Sequence, residues 1–153
     1  MGQVTHEQAN LLLRLYELRR ESRMRQARTW FSSQFEANTP QDVASKYPMG
    51  SEESASLRMV ISYWDMAAGM ANRGLIDDEM FFENSAEGWI VWEKVKAIVP
   101  AQRESMKNPT YLVQLEKFAN RFEAWRERTA PGSLEAFRQA RVTARRAAAS
   151  SAN

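Results

Sequence analysis

Cysteine is missing from this 153-residue chain, and a single histidine, His6, is present. The first absence excludes disulfide frameworks, thiolate zinc sites, iron–sulfur clusters and cysteine nucleophiles together, and it fits a reducing, intracellular setting. The second leaves the serines and threonines without an imidazole base and leaves His6 without a second imidazole with which to hold a metal. Beside Glu7 at the start of a helix, His6 reads as a surface residue. Glycine and proline are sparse, six and five residues, and they form no glycine-rich phosphate loop. No stretch approaches the roughly 18 apolar residues of a membrane span, and Met1 to Glu7 lacks the charged-then-apolar layout of a secretory signal. An unprocessed, soluble, cytoplasmic protein is therefore expected. Nothing alternates with period two long enough to make a strand, and no repeat period stands out.

What the chain does contain is the raw material of one helical core. Its length is that of one ordinary domain, and 44% hydrophobic with 26% charged residues is a globular composition. Thr5 and Gln8 form a capping-box pattern, and nothing stops a helix between there and about Phe35. Its middle, Arg19 to Arg25, is polar nearly all round, so this first helix is expected to project beyond the core. Thr39-Pro40-Gln41-Asp42 starts a short connector, and Ser51-Glu52-Glu53 opens a long helix carrying Leu57, Val60, Ile61, Trp64, Ala67, Ala68 and Ala71 at helical spacing. Gly74 is its natural stop. Asp77 caps a brief helix, Ser85 the next, with Trp89, Trp92, Val95 and Val99 on one stripe, and Pro100 kinks or breaks that helix. From Pro109 to about Arg128 the stripe is Leu112, Leu115, Phe118, Phe122 and Trp125. The expected fold is an all-α, single-domain bundle of about five main helices with a long projecting first helix and short connectors. The bundle is assigned to residues 1–130. Residues 131–153 are read as a basic Ala/Arg-rich helix and frayed tail, because alanine favours helix but buries little.

Chemistry-bearing groups are few. Asp77, Asp78, Glu79, Glu83 and Glu87 are a hard-oxygen cluster, but their spacing matches no calcium loop, and capping explains the first three. Asp65 and Glu93 each adjoin a tryptophan, and Arg103 is the natural cation to offset a buried acid, so an Asp65–Arg103 or Glu93–Arg103 bridge between helices is expected. The same three residues would carry acid–base work in an enzyme reading, which is the weaker one. Met66, Met70 and Met80 either line an adaptable groove or fill the core.

Net charge is +2 and the pI about 9.1, and the arginines crowd both ends of the chain. Arg19, Arg20 and Arg23, with Arg141, Arg145 and Arg146, form a candidate basic surface for nucleic acid or an anionic membrane. Glu17 and Glu21 interleave with the first set and reduce its field. Leu11, Leu12, Leu15, Tyr16 and Leu18 form a candidate interface, in a segment with six large apolar residues in eight positions once Leu13 is included. The expectation is a non-enzymatic module for protein interaction or self-association, with no cofactor and no metal.

At Trp30, Tyr63-Trp64-Asp65, Arg73-Gly74-Leu75-Ile76-Asp77, Trp92-Glu93, Arg103 and Tyr111 the chain resembles a bacterial all-helical family catalogued as domain of unknown function 4760. The resemblance runs from about Arg28 to Trp125 and rests on the order and spacing of these pieces. It implies an all-helical domain and carries no activity to any residue. The family's usual pattern has glutamate at position 65, so Asp65 keeps the carboxylate with a shorter reach. Many relatives begin with a membrane-spanning helix, which is not read in this sequence.

Overall fold

Glu21 breaks the expected first helix in two. In the computed structural model, which describes residues 2–152, its backbone leaves the helical region (φ −56°, ψ 140°). The Glu21 N–H donates to the Leu18 carbonyl and closes α1 (His6–Arg20). Its carboxylate accepts from the N–H groups of Arg23 and Met24, both at 3.0 Å, and opens α2 (Ser22–Gln34). Those two bonds hold the Glu21 carboxyl below its ordinary pKa. The long projecting helix is thus corrected to two helices. A polar stretch loses no burial by bending, and the bend brings Met24, Ala27 and Phe31 of α2 inward.

Side-chain caps set four of the other starts. Thr5 Oγ1 accepts from Gln8 N–H at α1, Thr39 and Asp42 make a reciprocal box at α3 (Pro40–Lys46), and Ser51 caps α4 (Glu52–Asn72). Asp77 caps α5 (Asp78–Asn84) through Met80 N–H at 3.0 Å. Gly74, at φ 76°, follows α4 as its expected stop. The Ser85 side chain makes no cap bond to α6 (Ala86–Val95), and Pro100 lies in the first turn of α7 (Val99–Met106). α8 is Val113–Thr129 and α9 is Ser133–Ser151. Among the described residues there are nine helices and no strand, so the chain is all-α.

The helices fall into two compact units, Met1–Ala119 and Asn120–Asn153, with the boundary inside α8. Met1 and Asn153, the outer ends of the polar start and of the expected tail, lie outside the described residues. In the first unit α4 is the central element, with α2 and α6 packed against it. Trp64 is 1% exposed; the Tyr63 ring meets it edge-on at 5.1 Å, and the Arg19 guanidinium lies 5.1 Å from its ring centre. Gly88 is required here. A Cβ at that position would stand 2.7 Å from Trp64 Cε3 and 2.9 Å from Phe118 Cε1, so glycine lets α6 approach α4. In the second unit Phe122 and Trp125 are buried, and Arg138 of α9 pairs with Glu123 of α8 at 3.0 Å. The backbone stays helical to Ser151 where alanine-rich composition suggested a loose end, and every residue from Val142 to Ser151 is exposed.

A polar tie joins four helices of the first unit. Arg28 clamps Glu87 with both arms, Nε to Oε1 at 2.7 Å and Nη2 to Oε2 at 2.6 Å, and donates its third arm to the Arg19 carbonyl. Arg19 approaches the same carboxylate at 3.7 Å. Beside them the Tyr63 hydroxyl donates to the Leu15 carbonyl at 2.7 Å. Burial, with the Glu87 charge adding to it, pushes the Tyr63 phenol up to about 12.

Candidate functional site

Asp65, Glu93 and Arg103 do not assemble. Arg103, near the end of α7, donates from Nε to the Tyr111 carbonyl at 2.8 Å and from Nη2 to Glu116 at 2.6 Å, so neither Asp65 nor Glu93 is its partner. The short turn between α7 and α8 explains this, since it brings the first turn of α8 within reach of Arg103 before α4 is. Glu93 pairs with Lys96 of its own chain segment at 2.9 Å, with its side chain 7% exposed. Asp65 accepts from the N–H of Leu115 at 2.9 Å, capping α8 from a different helix and satisfying one of the donors a helix start leaves open.

That cap puts Asp65 at the edge of a cleft of about 490 Å³ lined by Arg58, Ile61, Ser62, Asp65 and Met66 of α4 and by Asn108, Thr110, Tyr111 and Leu112 of the turn. Two left-handed residues bracket the turn, Lys107 at φ 51° and Leu112 at φ 53°. A leucine pays for that conformation with steric strain, and here Leu112 is buried, which holds it in place. Asn108 Oδ1 accepts from both the N–H and the hydroxyl of Thr110, at 3.1 and 2.7 Å, so the turn is braced from within. Arg103 braces it from outside through the Tyr111 carbonyl. The Tyr111 phenol is raised in pKa, first by burial and then by the Asp65 charge. A carboxylate and a neutral phenol therefore both line the cleft.

The other candidates scatter. Of the proposed interface, Leu15 belongs to the protein's own core at 3% exposure, and Leu11 and Leu12 are half-buried. Tyr16 and Leu18 are exposed, as is Leu13 between them. The three arginines of the first half of the basic surface each make contacts within the chain: half-buried Arg19 on Glu87 and Trp64, exposed Arg20 over the exposed Tyr16 ring, Arg23 on Glu52 and Ser56. Arg141 lies over the Phe137 ring, while Arg145 and Arg146 occupy the exposed part of α9. Among the described residues no group of three or more His, Cys, Asp or Glu side chains is placed to hold a metal ion. Met66 lines the cleft and is exposed; Met70 and Met80 are half-buried.

Sequence reasoning missed Arg58, Asn108 and Thr110 of the cleft, and Glu87 as the hub of the arginine tie. The Asn-Pro-Thr turn signal was the one available pointer to the cleft. Glu87 carries no local signal at all, since its partners are 59 and 68 positions away.

Architecture and cleft together define an all-helical domain in which no helix of the described residues is long and apolar enough to cross a membrane. The chain belongs to the family described as Domain of unknown function (DUF4760), whose profile matches residues 4–122. No curated protein and no solved structure matches it.

Proposed function

We propose that this protein is a non-enzymatic interaction module that self-associates through the outward face of α1. The observation that carries the reading is the exposure of Leu13 (59%) and Tyr16 (48%) on a helix whose inner face, at Leu15, is already used. With Ala9 and Leu12 they recur at i, i+3, i+4 and i+7, an apolar strip of the kind that packs against another helix. Arg14 and Glu17 flank the strip and pair with each other at 3.8 Å, both more than two-thirds exposed. Two such helices packed antiparallel about a two-fold axis can exchange those partners, which makes the strip complementary to itself. A bacterial cytoplasm is the inferred setting, supported by the resemblance noted above and by a composition without cysteine.

The test is sedimentation velocity across a hundredfold concentration range on the full chain and on Leu13→Glu. A concentration-dependent dimer that Leu13→Glu converts to a monomer of unchanged helicity is expected. A wild-type monomer at the highest concentration overturns the reading.

A further inference from the structure

The cleft beside Asp65 is independent of the α1 face and carries charges that the fold leaves unanswered. Asp65 spends one oxygen on the Leu115 N–H, and no other hydrogen bond or ion pair reaches its carboxylate among the described residues. Arg58 makes a single long bond, 3.4 Å, to the Ser54 carbonyl of its own helix, and no carboxylate lies within ion-pair distance of it. Both side chains line the same cavity. They stand seven residues apart on α4, so their backbones are separated by roughly 10 Å along the axis. Between them on α4 lie Ile61 and Ser62, and the exposed Met66 follows Asp65 along the same cleft. The Ser62 hydroxyl is turned back on the Arg58 carbonyl at 2.5 Å, which leaves the floor of the cleft largely apolar.

We propose that this cleft binds a small zwitterion with an extended apolar spacer, its ammonium group at Asp65 and Tyr111 and its acid group at Arg58. The carboxylate supplies the charge for the ammonium, and the phenol, held neutral, supplies a hydrogen-bond acceptor next to it. The guanidinium fits a carboxylate or similar acid with two parallel bonds. An α-amino acid, whose two groups are adjacent, is too short to reach both ends; an ω-amino acid or a short peptide with free termini is of the right length. The volume, about 490 Å³, is within the range of small-molecule sites, and the turn is braced by Arg103 and by the Asn108–Thr110 bonds, so the wall exists before a ligand arrives.

The probe is 6-aminohexanoate, titrated into the full chain while amide shifts are followed by NMR, with hexylamine, hexanoate and glycine as comparisons. Saturable shifts at Asp65, Thr110 and Tyr111 are expected with 6-aminohexanoate, and weaker ones with each comparison compound. Arg58→Ala should weaken the zwitterion about tenfold, the effect of losing one charged contact, and bring it level with hexylamine. Tyr111→Phe should weaken both amines and leave hexanoate unchanged. No saturable shift with 6-aminohexanoate overturns the proposal, and so does binding that Arg58→Ala leaves intact or that hexylamine or hexanoate matches in the wild-type chain. Arg58 is exposed and supports no other element, so loss of fold does not confuse the result.

Discussion

Glu87 and Asp65 are both half-buried carboxylates of the first unit, and the fold treats them in opposite ways. Glu87 is bonded at both oxygens: Arg28 holds the two of them and Arg19 stands beside one, although Glu87 also borders a cleft of its own. Asp65 is half-used, with one oxygen on a helix start and the rest of the group facing a cleft. A carboxylate with both oxygens bonded to one guanidinium is a staple between helices. One that keeps capacity at the edge of a cavity is where a ligand has something to bind.

Five substitutions would break or sharpen that contrast. The largest effect belongs to the platform beneath the staple: Trp64→Ala removes a buried indole that carries Arg19 above it and Gly88 against it. A loss of about 3–5 kcal/mol in denaturant unfolding is expected. Next, Glu87→Gln keeps the shape but removes the charge from a two-armed clamp that is less than a third exposed, and about 2 kcal/mol should be lost in the same assay. Equal losses for Glu87→Gln and Asp65→Asn would erase the distinction between the two acids.

A third effect is seen against pH. The Tyr63 phenol is shifted up to about 12, chiefly by burial. In the unfolded chain it ionises near 10, so between pH 10 and about 12 the unfolded state has lost a proton that the folded state keeps, and stability falls as pH rises. This group contributes a slope of roughly 1.4 kcal/mol per pH unit in that window. Tyr63→Phe should cost about 1 kcal/mol at neutral pH, for the bond to the Leu15 carbonyl, and flatten the alkaline limb of a pH-stability curve. An unchanged limb would place the phenol in water.

The smallest effects fall on the cleft. Asp65→Asn should cost about 1 kcal/mol, the usual range for weakening a helix cap, and Arg58→Ala should lie within about 0.5 kcal/mol of wild type. A larger loss for Arg58→Ala would show that its charge is already engaged in the fold.

Several local signals hold where the physics is local, although Ser85 makes no side-chain cap bond and α8 starts at Val113 instead of Pro109. Thr5, Thr39, Ser51 and Asp77 each cap the helix they precede, and Gly74 takes the left-handed conformation after α4. Glu21 was not legible, because glutamate is an uncommon cap and its neighbours read as good helix formers; only the chance to turn α2 inward makes the break favourable. Leu15 shows the same limit. Six large apolar residues on one segment looked like an outer surface, yet which of them faces inward depends on where α1 lies.

The all-α class, the placement of most helices and the identity of the aromatic core, with Trp64, Trp89, Phe118 and Phe122 all buried, were determined by the sequence alone, through periodicity and capping that act over three or four residues. Tertiary structure decided the polar pairings that span elements, among them Arg103 with Glu116 instead of Asp65 or Glu93, Arg28 with Glu87, and Asp65 with the start of α8. Any arginine can satisfy any carboxylate by composition, and only the packed positions of the helices select which of them come within about 3 Å.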